Sequence, residues 1–265
     1  MRNLNEKIAV IFGAGGSVGS GVARELAEQG AEVFLAGRTR SNLEQVAQQI
    51  TAAGGRAHVE VIDALDERAV NECVDRIVKQ AGKIDIEFNA IGPPPREYAN
   101  GKNAVDLAIE EFMLPVTTVL KSQFITARAA ARHMLRQRSG VIIFLTGSPA
   151  RPHIQGASGI GAAFGAVENL MRHFALELSP AGVRAVCLRS SAMPETRVIQ
   201  QTMEAVASLA HITKEQAIAS LANSTMLKVS PSASDTARAA AFLASDDARM
   251  MTGTVLNSSA GVVWD

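Results

Sequence analysis

Short apolar runs alternate along the chain with longer segments of helical periodicity. Several of the runs are continuous rather than alternating, which is typical of strands buried on both faces of a parallel sheet. The runs predict seven strands, at residues 8–12, 32–36, 57–62, 84–88, 141–146, 183–188 and 253–257. The segments between them predict helices near residues 18–29, 41–53, 66–80, 110–137, 160–178 and 234–244.

Regular alternation of strands and helices predicts an α/β fold with right-handed crossovers, a single Rossmann-type doubly wound parallel sheet flanked by helices. Residues 193–230 add two helical stretches, 196–210 and 213–223, between the sixth and seventh strands, and Thr213 to Gln216 has the form of a capping box. An insertion at this place lies over the ligand crevice, which favours a small helical lid over a packing or oligomer element. We expect residues 1–265 to form one domain that contains this lid.

Charge, apolar runs and cysteine content limit the partners, the location and the metal sites that we expect for this protein. The 26 basic and 26 acidic residues balance, which argues against a nucleic acid or an anionic membrane as partner. The chain shows no apolar run that could span a bilayer and no signal peptide at its start, so we expect a cytoplasmic protein. Cys73 and Cys187 lack metal-ligand spacing, so we expect free thiols and no metal site.

A glycine-rich turn, GAGGSVGSG (13–21), follows the first strand and opens a helix. Gly13 permits a tight turn and Gly19 permits close packing of helix against strand. The free N–H groups at the start of the helix, together with its dipole, favour a pyrophosphate. This placement predicts a dinucleotide site, and a turn without a ligand is the alternative.

The end of the second strand, LAGRTR (35–40), indicates which dinucleotide is bound. A carboxylate at this place would select NAD(H) by accepting hydrogen bonds from the ribose 2′-hydroxyl. The chain instead has Arg38 and Arg40, and a guanidinium can chelate a 2′-phosphate. We therefore favour NADP(H) as the cofactor, with NAD(H) still possible. The alternative role for at least one of the two arginines is to cap a solvated loop without binding a phosphate.

These motifs resemble the short-chain dehydrogenase/reductase family over essentially the whole chain. The glycine turn matches apart from Ser17, which stands where the family usually has its middle glycine, and FNAIG (88–92) is similar to the family's NNAG element. Asp63 matches the acid that contacts adenine. The resemblance implies a homodimer or homotetramer and a cofactor site. We expect that site to be formed by Gly13, Ser17, Val18, Gly19, Arg38, Arg40, Asp63, Ala64, Asn89, Ala90 and Gly92.

The family's catalytic set is Asn, Ser, Tyr and Lys, with Tyr and Lys spaced as YxxxK. Aligning the later helices by this resemblance puts Val119 at the Asn position, Ile160 at the Tyr position and Phe164 at the Lys position. The family's Pro-Gly after the sixth strand is replaced by Arg189-Ser190-Ser191. Of the catalytic set only Ser148 remains, and the chain's single tyrosine, Tyr98, lies elsewhere.

Few side chains are candidates to replace the missing acid. Ser148 could hydrogen-bond a carbonyl oxygen, or it could satisfy local backbone. His153 lies on the loop that faces the nicotinamide in this family, and a near-neutral pKa suits proton transfer, although a solvent-facing loop histidine is the alternative. Tyr98 would reach the substrate only if its loop folds inward. For Glu168 and His173 on the long helix we expect packing or an oligomer contact.

An apolar crevice floor formed by Ile160 and Phe164 suits a hydrophobic unsaturated substrate. We therefore predict an NADP(H)-dependent oxidoreductase that acts on a small, largely apolar carbonyl, alcohol or enone. Ser148 would orient the oxygen, and water or His153 would handle the proton. The alternatives are an inactive dinucleotide-binding pseudoenzyme (a sensor, scaffold or partner subunit) and non-redox chemistry such as isomerisation, which would predict a weakened cofactor site.

Overall fold

One parallel sheet forms the centre of the molecule. The computed structural model describes residues 4–98, 101–152 and 154–264. The strands are β1 (Ile8–Phe12), β2 (Glu32–Gly37), β3 (Arg56–Val61), β4 (Ile86–Asn89), β5 (Gly140–Gly147), β6 (Val183–Ser190) and β7 (Val255–Asn257). Their order in the sheet is β3-β2-β1-β4-β5-β6-β7, and every neighbouring pair is parallel. The predicted doubly wound fold is confirmed.

Helices cover both faces of the sheet. They are α1 (Ser17–Glu28), α2 (Arg40–Ala52), α3 (Glu67–Ala81), α4 (Ile109–Pro115), α5 (Lys121–Gln137), α6 (Ser158–Leu178), α7 (Arg197–Ala210), α8 (Lys214–Ser224) and α9 (Ala233–Ala244). One apolar core lies between the sheet and α3, α5 and α6, and a second lies between the sheet and α1, α2 and α9. Burial of both faces explains why the strand sequences are continuously apolar. Across the described ranges, every helix is too short or too polar to cross a bilayer.

The helix predicted at 110–137 is interrupted. A π-helical turn, Val116–Leu120, separates α4 from α5. Pro115 lacks an N–H and its ring clashes with the carbonyl four residues earlier, which disturbs the regular hydrogen-bond ladder at this place. Such turns are frequent at functional sites. The prediction of one continuous helix was therefore wrong at residues 116–120, and Val119 lies in the widened turn.

Two strands begin later than their apolar runs predict. β4 begins at Ile86 rather than at residue 84 because the Gln137 side chain occupies both backbone groups of Ile84. Gln137 Oε1 accepts from the Ile84 N–H at 3.0 Å, and its Nε2 donates to the Ile84 carbonyl at 2.8 Å. β7 begins at Val255 rather than at residue 253 because Gly253 has a left-handed φ of 66°. Apolar runs locate these strands but do not show where pairing starts.

The two cysteines are free thiols, as predicted. Cys73 lies on the buried face of α3, and Cys187 lies in β6 beside the Thr146 hydroxyl. Burial raises the pKa of each thiol to about 12. Because the thiolate is the reactive form, both groups are chemically inert in the folded protein.

Candidate active site

A cavity of about 610 Å³ opens at the carboxyl ends of β1, β4, β5 and β6. Strand order reverses between β1 and β4, and ligands of open α/β sheets bind at such a switch point. The walls come from the start of α1, the segments after β4, β5 and β6, and the helices α6, α7 and α8. Of the predicted cofactor residues, the cavity is lined by Ser17, Val18, Gly19, Asn89, Ala90 and Gly92.

The glycine turn after β1 brings the start of α1 against the cavity. Gly13 has a φ of 78°, a left-handed conformation that favours glycine. A Cβ on Gly19 would lie 2.3 Å from the Gly13 carbonyl oxygen, so only glycine permits this approach. No side chain caps α1 at Gly16, and Ser17 and Val18 line the cavity. The first N–H groups of the helix therefore suit an external anion such as a pyrophosphate.

The two arginines after β2 differ in their surroundings. Both are exposed, but the Arg40 guanidinium lies 3.4 Å from the Glu44 carboxylate one helical turn later. Arg38 forms no ion pair with any part of the chain that the structure describes. Asp63 is also exposed, and its Oδ1 accepts from the Leu65 N–H at 3.0 Å. Arg38 is thus the better placed of the two arginines for a phosphate.

Asn89 ends β4 and fixes the segment that follows it. Its side chain is fully buried, its Oδ1 accepts from the Ile91 N–H at 2.9 Å, and its Nδ2 donates to the Thr126 hydroxyl at 2.9 Å. These bonds shape the turn through Ala90 to Gly92 that forms one wall of the cavity. Ala64 is buried. Neither Ala64 nor Gly13 lines the cavity.

Ser148 lies in a short turn, Ser148–Ala150, directly after β5, and it faces the cavity. Its Oγ accepts a hydrogen bond from Ser191 Oγ at 3.3 Å. Within residues 4–98, 101–152 and 154–264, no backbone group hydrogen-bonds with this hydroxyl. The structure therefore does not show the alternative, in which the Ser148 hydroxyl hydrogen-bonds the local backbone.

The three residues that the sequence analysis expects at the family's Tyr, Lys and Asn positions have apolar side chains. Ile160, Phe164 and Val119 all line the cavity, and the Phe164 ring packs against Gly147. Tyr98 also lines it, so the loop after β4 does fold inward. Burial raises the pKa of Tyr98 to about 12. His153 lies outside the described residues.

A buried ion pair lies beneath the site and was missed in the sequence. Glu168 on α6 is 1% exposed, and Arg189 at the end of β6 is 0% exposed. Their bidentate contact has Nε–Oε1 and Nη2–Oε2 distances of 2.7 and 2.8 Å. The Thr146 hydroxyl donates to Oε1 at 3.3 Å, and Arg151 lies 3.9 Å from Oε2. Glu168 thus packs inside the protein, where it is paired with Arg189, whereas His173 is exposed.

The helices α7 and α8, which follow β6, cover the cavity. Ile199 and Met203 of α7 and Leu221 of α8 contribute to its wall. The predicted capping box is confirmed, since Thr213 Oγ1 accepts from the Gln216 N–H at 3.1 Å and Gln216 Oε1 accepts from the Thr213 N–H at 2.9 Å. α7 and α8 thus close the apolar side of the cavity.

Comparisons with known proteins agree with this geometry. A family model described as enoyl-(acyl carrier protein) reductase matches residues 13–263. An uncharacterized oxidoreductase of Mycobacterium tuberculosis is 29% identical over 264 residues, which are 100% of this chain and 95% of the relative. The uncharacterized oxidoreductase YxbG of Bacillus subtilis is 26% identical over 268 residues, covering 99% of this chain and 93% of the relative.

Solved structures share the whole architecture. NAD⁺-bound xylitol dehydrogenase superposes with a TM-score of 0.90 at 25% identity, covering 97% of this chain and 99% of that one. An actinorhodin polyketide ketoreductase with NADPH superposes with a TM-score of 0.89, covering 99% of both chains. Its identity of 22% means that this second likeness concerns the fold alone.

Proposed function

The chain belongs to the short-chain dehydrogenase/reductase family, and from that premise we propose that it is an NADP(H)-dependent oxidoreductase with a non-standard active site. Its substrate is a small, largely apolar carbonyl, alcohol or enone. The single observation that carries this proposal is the Ser148 hydroxyl, which faces a largely apolar cavity of about 610 Å³ beside the start of α1. The bound nicotinamide supplies or accepts a hydride at its C4 atom.

The residues around the glycine turn fit the cofactor. The uncapped N–H groups of Ser17 and Val18 bind the pyrophosphate, with help from the positive end of the α1 dipole. Asp63 keeps one carboxylate oxygen available for the adenine. The Asn89 side chain holds the next turn through its bond with the Ile91 N–H, and Ala90 of that turn would contact the cofactor.

Arg38 selects the 2′-phosphate because it is exposed and not paired with an acid, unlike Arg40. A hydrogen bond to a charged group contributes about 1.5–3 kcal/mol, so we expect Arg38→Ala to weaken NADPH binding about tenfold to a hundredfold. NADH affinity should stay within about twofold, since NADH lacks the phosphate. Calorimetric titration with both nucleotides measures this, and Arg40→Ala is the matched control. Equal losses for NADPH and NADH would refute the assignment.

The substrate is bound chiefly by apolar surface. Ile160, Phe164 and Met203 line the same cavity as Ser148. Such walls favour a hydrocarbon body over a sugar or an acid, because polar groups buried without partners are strongly disfavoured. Ser148 donates to the substrate oxygen, and water or His153 handles the proton.

The test of this function is turnover. NADPH binding is measured first, and then purified protein is assayed with a panel of apolar ketones and enones by the loss of NADPH absorbance. A positioned acid typically contributes about 10²- to 10⁴-fold, so we expect slow but measurable turnover. Ser148→Ala should abolish it while NADPH affinity is retained. Unchanged turnover in that variant would remove Ser148 from the mechanism.

A pseudoenzyme is the second candidate, and one observation favours it. Ile160, Phe164 and Val119 cannot exchange a proton, and burial raises the pKa of Tyr98 to about 12. A dinucleotide-binding sensor, scaffold or partner subunit would bind NADPH tightly without oxidising it. Binding without turnover over the whole panel supports this candidate, whereas turnover of one member excludes it.

Assembly is part of the proposal. Leu176 on α6 is 75% exposed, and Phe124 on α5 is also partly exposed, so these two helices present apolar surface to solvent. A homodimer that pairs α5 and α6 with their copies buries this surface, and a homotetramer extends it. Sedimentation analysis of the purified protein measures the assembly directly.

A further inference from the structure

The register of β5 and β6 brings two serines side by side. Gly147 pairs with Ser190, so the next residues along the two strands are Ser148 and Ser191. Both are buried and both line the cavity. Their Oγ atoms are 3.3 Å apart, with Ser191 as the donor. Ser191 therefore belongs to the site although no part of the family's catalytic set falls on it.

The direction of this bond matters for Ser148. A hydroxyl has one hydrogen to donate and two lone pairs that accept. Because Ser191 donates to it, Ser148 uses a lone pair on Ser191 and keeps its own hydrogen for another acceptor. The described part of the chain supplies no such acceptor, and the hydroxyl faces the cavity. Hydrogen bonds in a chain polarise one another, which makes Ser148 a better donor.

One carboxylate holds both strand ends in place. Glu168 binds Arg189, two residues before Ser191, and it accepts from Thr146, two residues before Ser148. Both contacts are buried, and the bidentate geometry fixes the orientation of the guanidinium. These buried contacts therefore fix the ends of the two strands from which Ser148 and Ser191 project.

We infer that Ser191 is a positioning residue, which orders the Ser148 hydroxyl so that it donates to the oxygen of the substrate. This inference rests on the proposed function. It deepens that function by requiring the site to recognise a carbonyl or hydroxyl oxygen on an otherwise apolar molecule. A hydrocarbon of the same shape gains nothing from the serine pair.

Calorimetric titration of the NADP⁺-saturated protein tests the inference without turnover. The probes are cyclohexanone and methylenecyclohexane, which differ chiefly in the oxygen. Ser191→Ala should weaken cyclohexanone binding about threefold to tenfold, the range of one neutral hydrogen bond, and leave methylenecyclohexane and NADP⁺ affinity unchanged. Ser191→Thr, which keeps the hydroxyl, should restore the preference for the ketone. Ser190→Ala is the matched control, because that hydroxyl donates to the Thr146 carbonyl and its loss should not change the ratio of the two affinities.

The combined variant separates positioning from an independent contact. If Ser191 acts through Ser148, then Ser191→Ala has no further effect in the Ser148→Ala background. Additive losses would overturn the inference, as would a ketone preference that survives in Ser191→Ala or an equal loss in Ser190→Ala. A wild-type protein that shows no preference for the ketone, or no NADP⁺ binding, would overturn the proposed function together with the inference.

Discussion

Glu87 makes the stability of this protein depend on pH. It lies in β4 at 1% exposure, and its Oε1 has no hydrogen-bond partner among the described residues. Burial raises the pKa of this carboxyl from 4.5 to about 8, and a hydrogen bond with Thr126 opposes the rise only in part. At neutral pH the folded protein therefore holds this carboxyl in its protonated form.

The direction of the pH effect follows from which state binds the proton. Between pH 4.5 and pH 8 the unfolded chain has lost this proton and the folded chain still carries it. The free energy of unfolding therefore falls as the pH rises through this window, by about 1.4 kcal/mol for each pH unit. Across the whole window the loss is about 5 kcal/mol, a large part of the stability of an ordinary domain.

Glu87→Gln tests this reasoning because glutamine has the shape of the protonated acid and does not titrate. We expect wild type and variant to have similar stability near pH 4.5, and the variant to be more stable by about 5 kcal/mol at pH 8. Urea unfolding at pH 5.5, 6.5 and 7.5 measures the difference at each pH. Glu72→Gln, on an exposed face of α3, is the control. Its free energy of unfolding should differ from that of wild type by the same amount at each of the three pH values. Parallel profiles for wild type and Glu87→Gln would refute a buried neutral Glu87.

Three further predictions concern the glycine turn, the buried ion pair and the assembly. Gly19→Ala puts a Cβ 2.3 Å from the Gly13 carbonyl oxygen, so we expect NADPH binding to be lost in calorimetry and thermal stability to fall. Glu168→Gln removes the carboxylate charge that faces the buried Arg189 guanidinium, which should cost about 3–5 kcal/mol and lower the melting temperature by roughly 10 °C. A change under 2 °C would contradict this. Leu176→Glu should shift sedimentation towards the monomer without changing NADPH affinity, and an unchanged sedimentation profile would exclude α6 from the interface.

The fold could be predicted because its signal is local. Continuous apolar runs with helical segments between them specify a parallel sheet, and the capping box at Thr213 specifies where α8 begins. The late start of β4 is an exception, because it depends on a long-range contact. Gln137 occupies the backbone of Ile84 from 53 residues away, and the strand length of β4 depends on that contact. The effect of Pro115 on the long helix was visible in the sequence as a proline within a helical pattern.

The site was only partly predictable, for the same reason. The glycine turn and Ser148 stand in local motifs, whereas the Glu168–Arg189 pair joins a helix to a strand. Glu168 lies four residues after Phe164 and three before Met171, so the helical pattern places it beside the apolar face but does not show its partner. The signal that could have revealed the pair is the arginine directly after the apolar run 183–188, because a charge at the end of a buried strand must find a partner. The contact between Ser191 and Ser148 needed the β5–β6 register, which sequence periodicity does not provide.

The two inert thiols have a practical consequence for studying motion over the cavity. Cys73 and Cys187 are buried, and with a pKa of about 12 neither forms a thiolate at neutral pH. Maleimide reagents should therefore leave the native protein unmodified. A single cysteine introduced at Val206, on the exposed side of α7, would then be the only site to accept a fluorophore. One label on α7 would then report whether this helix moves over the cavity when a ligand binds, without first removing a native residue.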